Sequence, residues 1–153
     1  MDAKVFTRLL VTKVNDIHPH LIDQQQTGFM PRRFIADNDT CVYLVMDLTQ
    51  SFKLTIIALL LGQEKAYDRV HPDYLRACLG RFGIPSTLVS CILSLFFQST
   101  LGVNVNGFLP DSIPQGHGLK QDNPLSPLLL NIAIEPLLRS VLSSLLTGFS
   151  IIT

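Results

Sequence analysis

The sequence predicts an α+β fold, and three observations carry that prediction. Apolar residues recur at helical spacing over most of the 153 residues, one continuous apolar run of strand length lies at 54–61 (LTIIALLL), and Asn106-Gly107 interrupts an alternating stretch. Together they describe a buried strand and a β-hairpin embedded in helices. At 47% hydrophobic content the chain can bury a real core, so disorder is excluded and one domain, or a piece of a larger one, is the natural size.

The elements follow in order. Val5, Leu9 and Leu10 place a short helix over 5–14, expected to stop before Pro19. A loop from 22 to 33 is punctuated by Gly28 and Pro31, and Ile35, Val42 and Met46 mark a second helix over 35–52. The run 54–61 is rich enough in apolar and β-branched residues to suit a strand buried on both faces. After Gly62, the stretch EKAYDRV can open a helical turn. A helix then starts near Pro72, presents Tyr74, Leu75, Cys78 and Leu79 on one face, and is closed by Gly83. PSTLVSCILSLFFQ reads as the next helix, with Ser86 as N-cap. LGVNVNGFLPDSI alternates around Asn106-Gly107, the strongest short hairpin signal in the chain. The loop PQGHGLKQDN leads into a long apolar helix from Pro124, whose Leu128, Leu129, Leu130, Ile132 and Ile134 belong to the core.

Charge and cysteine usage narrow the function classes. Twelve basic and twelve acidic residues cancel, so no overall positive field advertises a polyanion binder, although a local groove is compatible with that balance. Cys41, Cys78 and Cys91 are odd in number and lack C-x-x-C spacing, which reads as three small core residues in a reducing compartment. The four histidines have no zinc spacing with them. No secretory h-region opens the chain, and the apolar runs fall short of the about 20 residues of a membrane span. An intracellular protein, nuclear or cytoplasmic, is expected, with no membrane partner.

Three stretches, QTGFMPRRFIADN, LLLGQEKAYDRVHPDYL and GHGLKQDNPLSPLLLNIAIEPLL, stand in an order and at a spacing that resembles the reverse transcriptase domain of non-LTR (LINE-like) retrotransposons. The likeness runs from about residue 2 to 142. It implies a partial right-hand polymerase, with residues 1–54 as part of the fingers and 55–153 as part of the palm. In the intact family an RNA template and DNA primer are bound, and the primer hydroxyl attacks the α-phosphate of a nucleotide clamped by two Mg²⁺ ions. Such ions need carboxylate oxygens at the ends of palm strands.

Departures from the family pattern fall on those groups. The first palm motif of the family reads D-x-x-x-x-[FY]-D, and in GQEKAYD the leading aspartate is replaced by Gly62. The Y/F-A-D-D hairpin that carries the remaining pair does not occur in the 153 residues. The second motif, G-x-x-Q-G-[DC]-P-L-S-P in the family, has Asp122 in place of a glycine, and the P-G-R of the fingers is Pro31-Arg32-Arg33. The resemblance therefore implies an inactive, truncated remnant that holds no Mg²⁺ and binds nucleic acid weakly or not at all. Two other readings are an RNA-binding fragment without catalysis and a non-functional reading frame over a decayed repeat. A strand at 54–61 without its family neighbours also predicts an exposed edge and aggregation.

Three residues are carried over from the family as nucleotide or template contacts. Tyr67 stands where an aromatic screens the nucleotide's 2′ position, Gln121 matches a glutamine beside the nascent base pair, and Arg33 matches an arginine that meets phosphate. Read without the family they are a junction aromatic, a solvated loop glutamine and half of a solvated Arg32-Arg33 pair. Glu64 and Asp68, four apart, read as surface partners of Lys65 and Arg69 rather than as a substitute metal site.

Overall fold

In the computed structural model, residues 3–58, 60–102, 104–108 and 111–144 are described. Five helices and one short antiparallel pair of strands make up this part of the chain, in the order α1 (Ala3–Leu21), α2 (Ile35–Ser51), α3 (Pro72–Arg81), α4 (Ser86–Phe97), β1 (Thr100–Leu101), β2 (Ile113–Pro114) and α5 (Ser126–Leu142). The hydrophobic core lies where α5 meets α1 and α3, and where α3 meets α4. Leu75, Leu79, Ile92, Phe96, Leu125, Leu129 and Ile132 form its fully enclosed centre, and Val14, Ile22 and Met30 extend it toward the N-terminal third.

Local chemistry explains the helices that build this core. α3 begins with Pro72 in its first turn, and the His71 Nδ1 accepts the Asp73 N–H at 3.2 Å as an N-cap. It ends where Gly83 takes a φ of +76°, letting the Ile84 and Gly83 N–H groups reach the Leu79 and Gly80 carbonyls. In α5 an apolar stripe is continuous enough to bury Leu128, Leu129, Leu130 and Ile132, with Ile134 partly buried beside them, as the sequence predicts. Asn123 prepares its entry: the Oδ1 accepts the Leu125 N–H at 2.9 Å and the backbone carbonyl accepts that of Ser126. α4 starts at Ser86 itself, with Pro85 in the cap position and no side-chain cap, so the expected N-cap role of Ser86 is corrected by one residue.

α1 is longer than expected. It runs through Pro19 to Leu21, because a proline near a helix C-terminus forfeits one hydrogen bond while the packing of Val14 and His18 still holds the turn. The hairpin is present: Asn106 and Gly107 both have positive φ, 52° and 87°, and Val105 and Phe108 exchange two backbone hydrogen bonds. Such a turn requires residues that tolerate the left-handed region at both central positions. Farther out, Thr100 pairs with Pro114 and Leu101 with Ile113.

The buried strand is the main correction. Described residues of 54–61 have no strand partner and lie in solvent, with Ile57 95%, Leu60 91% and Leu61 78% exposed. An apolar run becomes a buried strand only if neighbouring strands take up its N–H and C=O groups, and the one described sheet is the β1–β2 pair, far along the chain. α2 forms where predicted but stays outside the packed set and buries only Thr49. Cys41 on that helix is exposed, against the expectation of three core cysteines, while Cys78 is buried and Cys91 half-buried.

Candidate functional site

The second and third resembling stretches meet through their backbones. The Leu119 N–H donates to the Tyr67 carbonyl at 2.8 Å, and the Gly118 N–H donates to the Val70 carbonyl at 2.9 Å. This contact depends on Gly118, which has a φ of +88°. A Cβ there would sit 3.1 Å from both the Cα and the carbonyl oxygen of Asp68. The loop is fixed from its other sides as well. Gln115 Nε2 donates to the Gly118 carbonyl at 2.9 Å and its backbone N–H to Ser99 O at 3.0 Å. Lys120 Nζ donates to Leu95 O at the end of α4 at 3.0 Å, and Ser126 Oγ donates to Lys120 O.

On this frame the carried-over residues occupy different settings. Tyr67 is half-buried against the core at the junction, and burial pushes its phenol pKa up. Gln121 is on the exposed turn that follows the anchored Lys120. Arg33 is directed into the chain: its guanidinium donates to the carbonyls of Asp23, Gln26 (2.7 Å), Ile22 (3.2 Å) and Pro19 (3.4 Å). Those groups include carbonyls left without helical partners at the end of α1, so the fork closes a helix terminus. Arg32 is the exposed member of the pair, with a φ of +61°. Backbone bonds thus join the segments of Tyr67 and Gln121, whereas Arg33 belongs to the α1 terminus.

Gly62 is exposed, its φ lies outside the left-handed region, and no heavy atom stands within 4 Å of an added Cβ. Neither turn geometry nor close packing calls for glycine at this position. Five residues on, Tyr67 and Asp68 complete the pattern, and Glu64 forms a 2.8 Å ion pair with Arg69 on the surface. A groove of about 210 Å³ between this turn and α5 is lined by Gln63, Arg69, Tyr74 and Leu130 among others. It is smaller than the about 300–1,000 Å³ of small-molecule sites. The Mg²⁺ of the intact family does not fit this donor set. Asp68 is exposed, Glu64 is held by Arg69, and among the described residues no three of His, Cys, Asp and Glu come together.

A second polar cluster, which sequence reasoning missed, ties α5 to the N-terminal third. Glu135 is fully buried; its Oε1 accepts the Asp23 N–H at 3.0 Å and Arg139 Nε at 2.8 Å, while its Oε2 has no close partner. Asn131 donates to Gly28 O at 2.9 Å and accepts from Gln26 Nε2 at 3.1 Å. His18 is fully enclosed beside them. Burial lowers its pKa; the Leu128 backbone opposes that, Arg33 reinforces it and Glu135 opposes it. The only signal in the sequence was polar residues inside the apolar run of α5, which periodicity alone does not flag.

Comparison with known proteins adds the lineage. Residues 1–152 match the family of reverse transcriptases (RNA-dependent DNA polymerases). An uncharacterized 149 kDa protein of transposon TX1 from Xenopus laevis is 31% identical over 150 residues, 96% of this chain and 11% of that protein. The retrovirus-related Pol polyprotein of the type-2 retrotransposable element R2DM from Drosophila melanogaster is 28% identical over 123 residues, covering 80% of this chain and 12% of the polyprotein. That of a type-1 element R2 from Popillia japonica is 38% identical over 74 residues, 48% of this chain and 12% of the polyprotein. The chain thus spans about one tenth of the length of these relatives. With the matching motifs in order and two of them bonded to each other, the chain belongs to the reverse transcriptase (RNA-dependent DNA polymerase) family, on the side of the non-LTR retrotransposons.

Proposed function

We propose that this chain is a catalytically inactive remnant of an RNA-directed DNA polymerase domain, with residues 1–54 derived from fingers and 55–153 from palm. The observation that carries the reading is Gly62. It stands five residues before Tyr67, in a place open enough for an aspartate, and supplies no carboxylate. Without charged oxygen ligands the ion that activates a primer hydroxyl and neutralises the leaving pyrophosphate has no seat, and both are needed for phosphoryl transfer.

Template-dependent primer extension tests this directly. With Mg²⁺ or Mn²⁺, the 153-residue chain should extend a primer no more than a vector control does, and extension above that control overturns the reading. Gly62→Asp alone should leave the result unchanged, because one carboxylate does not hold two ions. A second reading, a fragment that binds RNA without catalysis, is favoured by the exposed Arg32 and Gln121. Filter binding across a salt titration separates the two: a phosphate contact must weaken as salt rises, by a slope set by the number of phosphates met.

A further inference from the structure

We propose that the segment 55–62, flanked by Lys53 and Glu64, is a self-complementary interface that joins two copies of this chain, strand against strand, in antiparallel register. Three observations converge on it. First, the Leu54 N–H closes α2 on the Thr49 carbonyl, but the described residues of 55–61 pair with no other backbone, and Ile57 and Leu60 are almost fully exposed. Second, the ten residues from Leu54 to Gln63 contain no charge and no proline, so nothing within them blocks a β ladder. Third, the stretch is bounded by Lys53 at one end and Glu64 at the other.

That last feature selects the partner and its direction. If two copies align antiparallel about a two-fold axis between positions 58 and 59, the ladder ends bring Lys53 of each copy, in the turn that closes α2, beside Glu64 of the other, in the turn that follows the segment. The same register sets Ile57 opposite Leu60 and Ile56 opposite Leu61. A parallel pairing in register would instead place lysine on lysine and glutamate on glutamate. Opposite charges across an antiparallel pair stabilise and like charges destabilise, so one arrangement is favoured at both ends at once. Glu64 is engaged with Arg69, but both side chains are well exposed, and surface pairs of this kind are weak enough to exchange. The formal net charge of zero adds no repulsion between copies.

Sedimentation velocity of the full 153-residue chain across a range of concentration reads the outcome. A reversible monomer–dimer equilibrium is expected, and Ile57→Lys or Leu60→Lys should shift it to monomer by at least tenfold in dissociation constant without altering the helical circular dichroism. Lys53→Glu alone should weaken the dimer, and Lys53→Glu with Glu64→Lys should restore it. For direction, Ile57→Cys and Leu60→Cys proteins on a Cys41→Ser background are mixed and oxidised. Cross-links between the two different variants should exceed those within either. A monomer at every concentration, association indifferent to Ile57→Lys, open-ended aggregates in place of a dimer, or cross-linking mainly between identical variants overturns the proposal.

Discussion

Two glycines in the resembling motifs illustrate how differently one residue type can be constrained. Gly118 combines a left-handed φ with backbone contact to Asp68, so any side chain there both strains the turn and pushes the loop off the 67–70 segment. Gly118→Ala should cost about 2–4 kcal/mol, from a positive-φ penalty and overpacking together. Thermal melting should then fall by roughly 4–16 °C for a chain of this size. Gly62 has neither constraint, so Gly62→Asp should stay within about 0.5 kcal/mol of the parent. An equal loss in both variants would show that the backbone junction does not hold the loop.

His18 offers a test of opposite kind, through pH. Its folded-state pKa is lowered, so below about pH 6.5 the unfolded chain takes up a proton that the folded chain resists. Stability contributed by the neutral imidazole is therefore present above that pH and lost as pH falls toward the folded value, by up to about 1.4 kcal/mol per unit. Urea unfolding of the parent between pH 7.5 and 5.5 should show this slope. His18→Leu should reduce it; an unchanged slope would place the proton uptake elsewhere.

At the scale of elements, the helices divide by what covers them. α3, α4 and α5 each bury an apolar face on another helix, whereas α2 is held mainly by its polar start, where Asn38 donates to Gln25 O at 3.2 Å and Thr27 Oγ1 at 3.0 Å. Its Val42, Tyr43 and Met46 remain exposed, as do the residues that follow at 54–61. Local stability should follow the same division, since opening free energy tracks buried contacts. Native-state hydrogen exchange should find α3 and α5 slowest, α2 much faster, and the described amides of 55–61 close to unprotected in the monomer at low concentration. Strong protection of α2 in the monomer would contradict the division.

For the whole molecule, one core serves residues on both sides of position 54. Val14, Ile22 and Met30 share it with Leu75, Leu79 and Leu129, and Glu135 links α5 to the backbone at Asp23. The regions proposed as fingers and palm are thus joined through α1 and α5 rather than through α2. On the proposed reading the defect is local: the junction that would present a carboxylate is ordered by backbone bonds, and the position that would carry it holds Gly62. Primer extension therefore reports on the missing group, with the scaffold around Tyr67 and Gly118 in place.

The sequence by itself determined the family, the positions of the five described helices to within a few residues at most ends, the Asn106-Gly107 hairpin and the core stripe of α5. Each depends on local information: apolar period, caps, turn chemistry and motif order. Tertiary structure alone decided the rest. LTIIALLL is apolar enough for a buried strand, but burial requires partner strands that its own residues do not encode. Arg33 could face phosphate or protein, and only the fold brings four carbonyls to its fork. Gly118 is indistinguishable in sequence from a flexible loop glycine until the 67–70 backbone arrives 3.1 Å from its missing Cβ. Contacts between residues distant in the chain carry no local signature, and these three depend on such contacts.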